Sequence, residues 1–197
     1  PATRRCGRRC AVCSTSTPRP DLVEHTDPDP ATVHPVTIRT ATAADLVAMA
    51  EIYNEAVTTS INTFDLVPQP PGLFAERVAS TRPGGHVLVA EDAGLVIGMA
   101  YAVPYRPRPA YDATRETSIY LAPGARGAGV GRTLYGELLR RVDADGIHAC
   151  LAVIAQPNAA SEALHTASGF EHVGTLREVG RKFDRWVDIA WWQRLRS

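Results

Sequence analysis

Residues 117–134 read TSIYLAPGARGAGVGRTL. A β-branched apolar run ends at a proline, and Gly127, Gly129 and Gly131 then follow at alternate positions between Arg126 and Arg132. From Val130 the apolar residues Leu134, Leu138 and Val142 recur at helical spacing. The order is therefore strand, glycine loop, amphipathic helix. The first backbone N–H groups of such a helix lack intrahelical partners, and glycines ahead of it let an anion come close to them. Two nucleotide patterns fail: no lysine follows the glycines as in an ATP-binding loop, and Arg132 stands where a dinucleotide loop has its third glycine. What remains is R-x-x-G-x-G, on Arg126, Gly129 and Gly131. Taken alone, the loop is a phosphate cradle or a plain turn.

Downstream, HACLAVIA (148–155) is a continuous apolar strand. With the strand and helix before it, it makes a parallel crossover. Asn158 to Ser168 form a last helix capped by Gly169, and FEHVGTL (170–176) and WVDIAWWQRL (186–195) read as closing strands. Upstream, VTIRTAT (36–42) is a short strand, followed by a helix carrying Leu46, Met49, Tyr53 and Val57 with Asp45 in its first turn. Pro68, Pro70 and Pro71 interrupt the chain before a short helix at Leu73 to Ala79. HVLVAED (86–92), AGLVIGMAYAVP (93–104) and ETSIYLAP (116–123) then suggest an antiparallel meander, its first turn marked by Asp92-Ala93-Gly94. The class is α/β, with a mixed central sheet flanked by helices.

Composition narrows the function. Lysine plus arginine number 21 and aspartate plus glutamate 21, so no basic field argues for nucleic acid. No apolar run reaches the roughly 20 residues that span a bilayer, and no secretory leader is evident, so the expectation is a cytoplasmic protein without membrane partners. Residues 1–35 hold six of the 15 prolines and read as a disordered Arg/Pro-rich leader ahead of a domain at 36–197. Cys6, Cys10 and Cys13 in that leader have a spacing that could ligate a cluster, but no strand precedes them to present it, and no metal is expected. Cys150 reads as a small core residue.

Several segments outside the loop complete a pattern: TTSINTF (58–64), AYAVPYRPRPAYD (100–112), ETSIYLAP, IAQPNAAS (154–161), LHTASGF (164–170) and GTLREVGRKFDRWVDIAWWQ (174–193). In this order they resemble the GNAT superfamily of acyl-CoA-dependent N-acetyltransferases, and within it the phosphinothricin N-acetyltransferase branch. The resemblance runs from about Val36 to Leu195. It implies the GNAT fold, with acetyl-CoA as the co-substrate and its pyrophosphate in the glycine loop.

The resemblance also implies roles. Arg126, Gly127, Ala128, Gly129, Val130, Gly131 and Arg132 would hold the pyrophosphate, Ile119, Tyr120 and Leu121 would offer backbone to the pantetheine arm, and Asn158 would contact that arm. Glu116 would be the general base for an amine that is largely protonated near neutrality. His165 stands where many members carry a tyrosine, and its role as acid or base stays open. Phe64, Arg106, Arg108 and Tyr111, together with Glu116, Thr117 and Ser118, would form the acceptor site, the guanidiniums suiting a carboxylate. Trp186, Trp191 and Trp192 would fill core and subunit contacts in a homodimer. The expected acceptor is the amino group of a small amino acid of the phosphinothricin or methionine sulfone type. A polyamine, an aminoglycoside, a protein N-terminus, or a non-catalytic acyl-CoA sensor are the alternatives.

Overall fold

The computed structural model describes residues 35–196. The expectations for the leader and for Cys6, Cys10 and Cys13 lie outside the described residues.

Seven strands form one sheet in the order β1-β2-β3-β4-β5-β7-β6. β2 (Val87–Asp92), β3 (Leu95–Pro104) and β4 (Thr114–Leu121) pair antiparallel in sequence, as the meander predicts, and β1 (Thr37–Thr40) adds antiparallel to β2. The turn between β2 and β3 uses Ala93 and Gly94, both at positive φ. β4 then meets β5 (Ala149–Ala155) in parallel, with α3 (Val130–Ala144) as the crossover. β6 (Glu171–Lys182) and β7 (Arg185–Leu195) close the sheet antiparallel, β7 against β5.

Helices cover both faces. α3 lays Leu134, Tyr135, Leu138 and Val142 on a core that includes Leu88, Cys150, Ile154 and Trp192. On the other face, α1 (Leu46–Thr59) and the turn Pro71–Phe74 that leads into the short α2 (Ala75–Val78) cover Val89, Met99 and Tyr101 through Met49, Tyr53, Val57 and Phe74. Arg39 and Asp45 clamp the start of α1 to β1 at 2.8 Å. The last helix, α4 (Ala159–Ala167), is followed by Gly169 at φ +83°, the conformation that makes glycine a natural helix stop.

One expectation needs correction. β6 does not end near Leu176 but runs to Lys182, with register shifts at His172/Gly174 and Leu176/Gly180. Glu178 takes φ +54° in the second, its N–H donating to Asp188 Oδ1 at 2.8 Å, so polar residues stay in a strand that their alternation alone does not mark. Of the three tryptophans expected in core and subunit contacts, Trp192 is buried, Trp191 half-buried and Trp186 61% exposed, so Trp186 is available only for the second of these roles.

Candidate active site

β4 and β5 pair over three residues only, Thr114, Arg115 and Glu116 against Ala149, Cys150 and Leu151. Beyond Glu116 the two strands diverge. Thr117 sits in the fork, buried, its hydroxyl donating to the Leu151 carbonyl at 3.1 Å and accepting from the Tyr135 hydroxyl at 2.7 Å. That bond takes over where the ladder stops. Backbone groups of β4 past this point that face β5 have no strand partner, and a cavity of about 410 Å³ opens between the strands, with Ser118 to Leu121 along one wall and Asn158, Leu164 and His165 along the other. An extended ligand arm can pair with such an edge as an added strand would.

The glycine loop closes one end of this cavity. Gly127 and Gly129 take φ +80° and +81°, and Gly129 is the residue from which α3 starts. A Cβ at either would touch nothing within 4 Å, so the need for glycine there is conformational. At Gly131 a Cβ would come 3.2 Å from Leu121 Cδ1, a tight contact that asks that side chain to give way by a few tenths of an ångström. Arg126 is spent on bracing: it reaches Glu55 of α1 at 2.5 Å and the Leu121 carbonyl at 3.1 Å. Val130 buries its side chain in the core, so only its main chain is available to a ligand. Ala128 and Arg132 are exposed, and Arg132 lines the cavity without a carboxylate partner among the described residues. A helix N-terminus, a nearby guanidinium and room for close approach together fit a pyrophosphate.

Asn158 caps α4, its Oδ1 accepting from the Ser161 N–H at 3.1 Å, while its amide donates to Asn62 Oδ1 at 3.0 Å. Seven residues on, His165 is 3% exposed between the rings of Tyr135 and Phe170. Its Nδ1 lies 2.8 Å from the Ser161 carbonyl, which can only accept, so Nδ1 carries the proton. Nε2 is buried without a partner and offers a lone pair. Burial holds the imidazole pKa below its ordinary value, so the ring is neutral at neutral pH.

The strand's alternation divides the expected acceptor residues. Glu116 faces the same way as its partner Val103, Ser118 as Tyr101, and Tyr120 as Met99, all toward α1 and α2. Thr117 points the opposite way, toward α3, so it is not beside the Glu116 carboxylate and its hydroxyl is already committed. Glu116 is half-buried and makes no hydrogen bond or ion pair among the described residues. Burial pushes its pKa up, opposed by the positive fields of Arg106 and then Arg77. Arg106 lies over the Tyr105 ring at 4.9 Å, with Tyr111 edge-on to that ring at 5.5 Å. Arg108 is exposed on the same loop. Phe64 is packed against the backbone of Gly180 in β6, where Lys182 also holds the Thr63 carbonyl at 2.8 Å. Asn62 and Leu164 lie in the TTSINTF and LHTASGF stretches, close to Phe64 and His165, and line the cavity with no expectation attached to them; Arg77 comes from a segment that only packing brings near.

A family model described as the acetyltransferase (GNAT) domain matches residues 38–191. The chain belongs to the GNAT acetyltransferase family. It is 42% identical over 163 residues to a phosphinothricin N-acetyltransferase of Streptomyces coelicolor, covering 81% of this chain and 95% of that one. It is 40% identical over 161 residues to an L-methionine sulfoximine/L-methionine sulfone acetyltransferase of Pseudomonas aeruginosa, covering 79% and 92%. A solved GNAT phosphinothricin acetyltransferase from Sinorhizobium meliloti, in complex with acetyl-CoA, superposes with a TM-score of 0.77 at 42% identity over 81% of this chain and 88% of that one. The protein is thus an acetyl-CoA-dependent N-acetyltransferase of the GNAT fold. Among the described residues there is no cluster of potential metal ligands and no helix long and apolar enough to cross a membrane.

Proposed function

We propose that this GNAT enzyme acetylates the α-amino group of a small amino acid of the phosphinothricin or methionine sulfone class. The observation that carries the reading is Glu116: a half-buried carboxylate with no partner, its pKa raised by burial, on the rim of the fork and within the field of two arginines. An amino acid brings what this arrangement lacks, an ammonium for the carboxylate and a carboxylate for the guanidinium of Arg106. Names of relatives that act on such amino acids support the same choice.

Acetyl-CoA supplies an activated acetyl thioester. The backbone of residues 127–132 with Arg132 would take its pyrophosphate, the free edge of Ile119 to Leu121 its pantetheine arm, and Asn158 the end of that arm. Arg126 keeps the loop in place through Glu55. Glu116 takes the proton that leaves the ammonium, directly or through one water, and its raised pKa brings it nearer to that of the amine. Arg106 orients the acceptor's carboxylate, with Arg108, Tyr111 and Ser118 at the rim of the acceptor site and Phe64 as a more distant wall. His165, protonated on Nδ1, keeps Nε2 as a lone-pair acceptor, so a group that reaches it would donate a hydrogen bond and receive none.

A homodimer fits the outer surface. Val173, Leu176, Val179, Phe183 and Trp186, each 49–62% exposed, share the β6–β7 hairpin at the sheet edge, an apolar area that a second copy would cover. Sedimentation at micromolar concentration tests this, and a monomer contradicts it. We further take residues 36–197 as the catalytic unit and the cytoplasm, where acetyl-CoA is at hand, as its compartment. A chain beginning at Val36 keeps full turnover on this reading.

The test of the acceptor is thiol release from acetyl-CoA with a panel of amines. Turnover with amino acids of the stated class and little with polyamines, aminoglycosides or peptide N-termini is expected. Preference for one of the others, or acetyl-CoA binding without thiol release, contradicts the proposal.

A further inference from the structure

Beside Arg106 and Arg108, the acceptor site has a further guanidinium that the site described so far does not use. Arg77, on α2, is half-buried and spread over two rings, 4.7 Å from the centroid of Tyr101 and 5.4 Å from that of Phe74. Arg39, Arg126, Arg140, Arg141 and Arg194 each meet a carboxylate within 2.8 Å, whereas the Arg77 guanidinium meets none and makes no hydrogen bond among the described residues. A guanidinium offers five donors, and packing it on aromatic faces stabilises the charge while leaving those donors unanswered. The rings fix where the charge stands.

That place is defined by the register. Tyr101 is paired with Ser118 and Val103 with Glu116, so the ring under Arg77 is on the Glu116 face, two residues along β3 from the position opposite Glu116. Arg106 follows Val103 three residues later, past the end of the strand, so the two cations approach Glu116 from opposite directions along the chain. Both are felt by the Glu116 carboxyl. Two residues of strand span about 6.6 Å, which is the length of a short amino-acid side chain. With the amine at Glu116 and the α-carboxylate at Arg106, the side chain of the acceptor is directed toward Arg77.

We propose that Arg77 reads the far end of the acceptor, selecting amino acids whose side chain, about as long as that of glutamate, ends in an oxyanion such as a phosphinate or carboxylate. The inference rests on the amino-acid reading above and adds to it a specificity residue. A neutral sulfone end accepts the same hydrogen bonds without the charge, and binds through them alone.

The experiment compares full-length parent, Arg77→Gln and Arg77→Lys with phosphinothricin and with methionine sulfone, two acceptors of similar length that differ in side-chain charge. Arg77→Gln is expected to lower kcat/KM for phosphinothricin about 30-fold, mainly through KM, and for methionine sulfone no more than about 3-fold. Arg77→Lys should recover part of the loss for phosphinothricin alone. The KM for acetyl-CoA should be unchanged in all three, which separates a specificity role from damage to the fold. Equal losses for both acceptors, or no loss for either, overturns the role of Arg77. A parent enzyme that acetylates neither acceptor overturns the amino-acid reading itself, and this inference with it.

Discussion

Glu116 and Thr117 are neighbours in the chain and opposites in the fold. Thr117 looks toward α3, where it closes the end of the β4–β5 ladder through the Leu151 carbonyl and the Tyr135 hydroxyl. Glu116 looks toward α1 and α2, where its carboxylate and the guanidiniums of Arg77 and Arg106 stand close without pairing. Polar groups that satisfy one another hold a structure together; unpaired charges, half-buried at Glu116 and Arg77 and exposed at Arg106, are held in readiness for a ligand. On the α3 side the exceptions among the described residues are His165 Nε2 and Trp192 Nε1, and of these two residues His165 lines the cavity.

The comparison can be broken most sharply by removing the base. Glu116→Gln keeps size and hydrogen bonding but loses basicity, and turnover should fall about 10²-fold while acetyl-CoA binding stays as it was. Parental turnover would make the carboxylate an ordinary strand-end residue. In the parent, kcat should rise with pH as Glu116 deprotonates, and because burial raises that pKa the limb should lie above the ordinary carboxylate range; a pH–rate profile of the two proteins shows whether it disappears with the side chain.

Next in size is the loop. Gly129→Val places a β-branched residue at φ +81°, which only glycine adopts at little cost, and displaces the first backbone donors of α3. The KM for acetyl-CoA should rise about tenfold with that for the amine little changed. A change confined to the amine would remove the loop from the cofactor site.

Thr117→Val sharpens the other side of the comparison. It leaves the Leu151 carbonyl and the Tyr135 hydroxyl without their partner in a buried place, and should cost about 1–2 kcal/mol of stability with kcat nearly unchanged, by denaturant unfolding and assay in parallel. Loss of kcat with intact stability would move Thr117 back to the acceptor site.

The smallest expected effect belongs to His165. Its folded-state pKa is lowered below the ordinary 6.5, so the unfolded chain binds a proton that the folded one resists, and stability should decline as pH falls from about 6.5 toward the lowered value. His165→Gln should flatten that decline. An unchanged slope would mean the imidazole is not neutral in the fold.

Much of this was open to reading in the sequence for physical reasons. The meander and crossover follow from period-two and helical spacings bounded by glycine and proline, and Gly127, Gly129 and Asn158 stand where loop and cap chemistry demand them. The same alternation that marks β4 also says that Glu116 and Thr117 cannot share a face, and this keeps Thr117 out of an acceptor site built around Glu116. Arg77 carried none: its place over Tyr101 depends on how α2 packs, and its helix is four residues long. The polar far half of β6 was equally silent, because a bulge resets its alternation at Glu178.

The division between the two faces of β4 is tested most directly by the thermal midpoint of Glu116→Gln at neutral pH, measured beside the parent. A carboxylate whose pKa the fold raises stabilises fully below its unfolded pKa, and that contribution is lost as pH rises through the folded value; at neutral pH the ionised group therefore opposes folding. Replacing it with a neutral isostere should leave the midpoint equal to the parent's or higher, in a protein that has lost most of its turnover. A midpoint several degrees lower would show that Glu116, like Thr117, is held in place to support the fold.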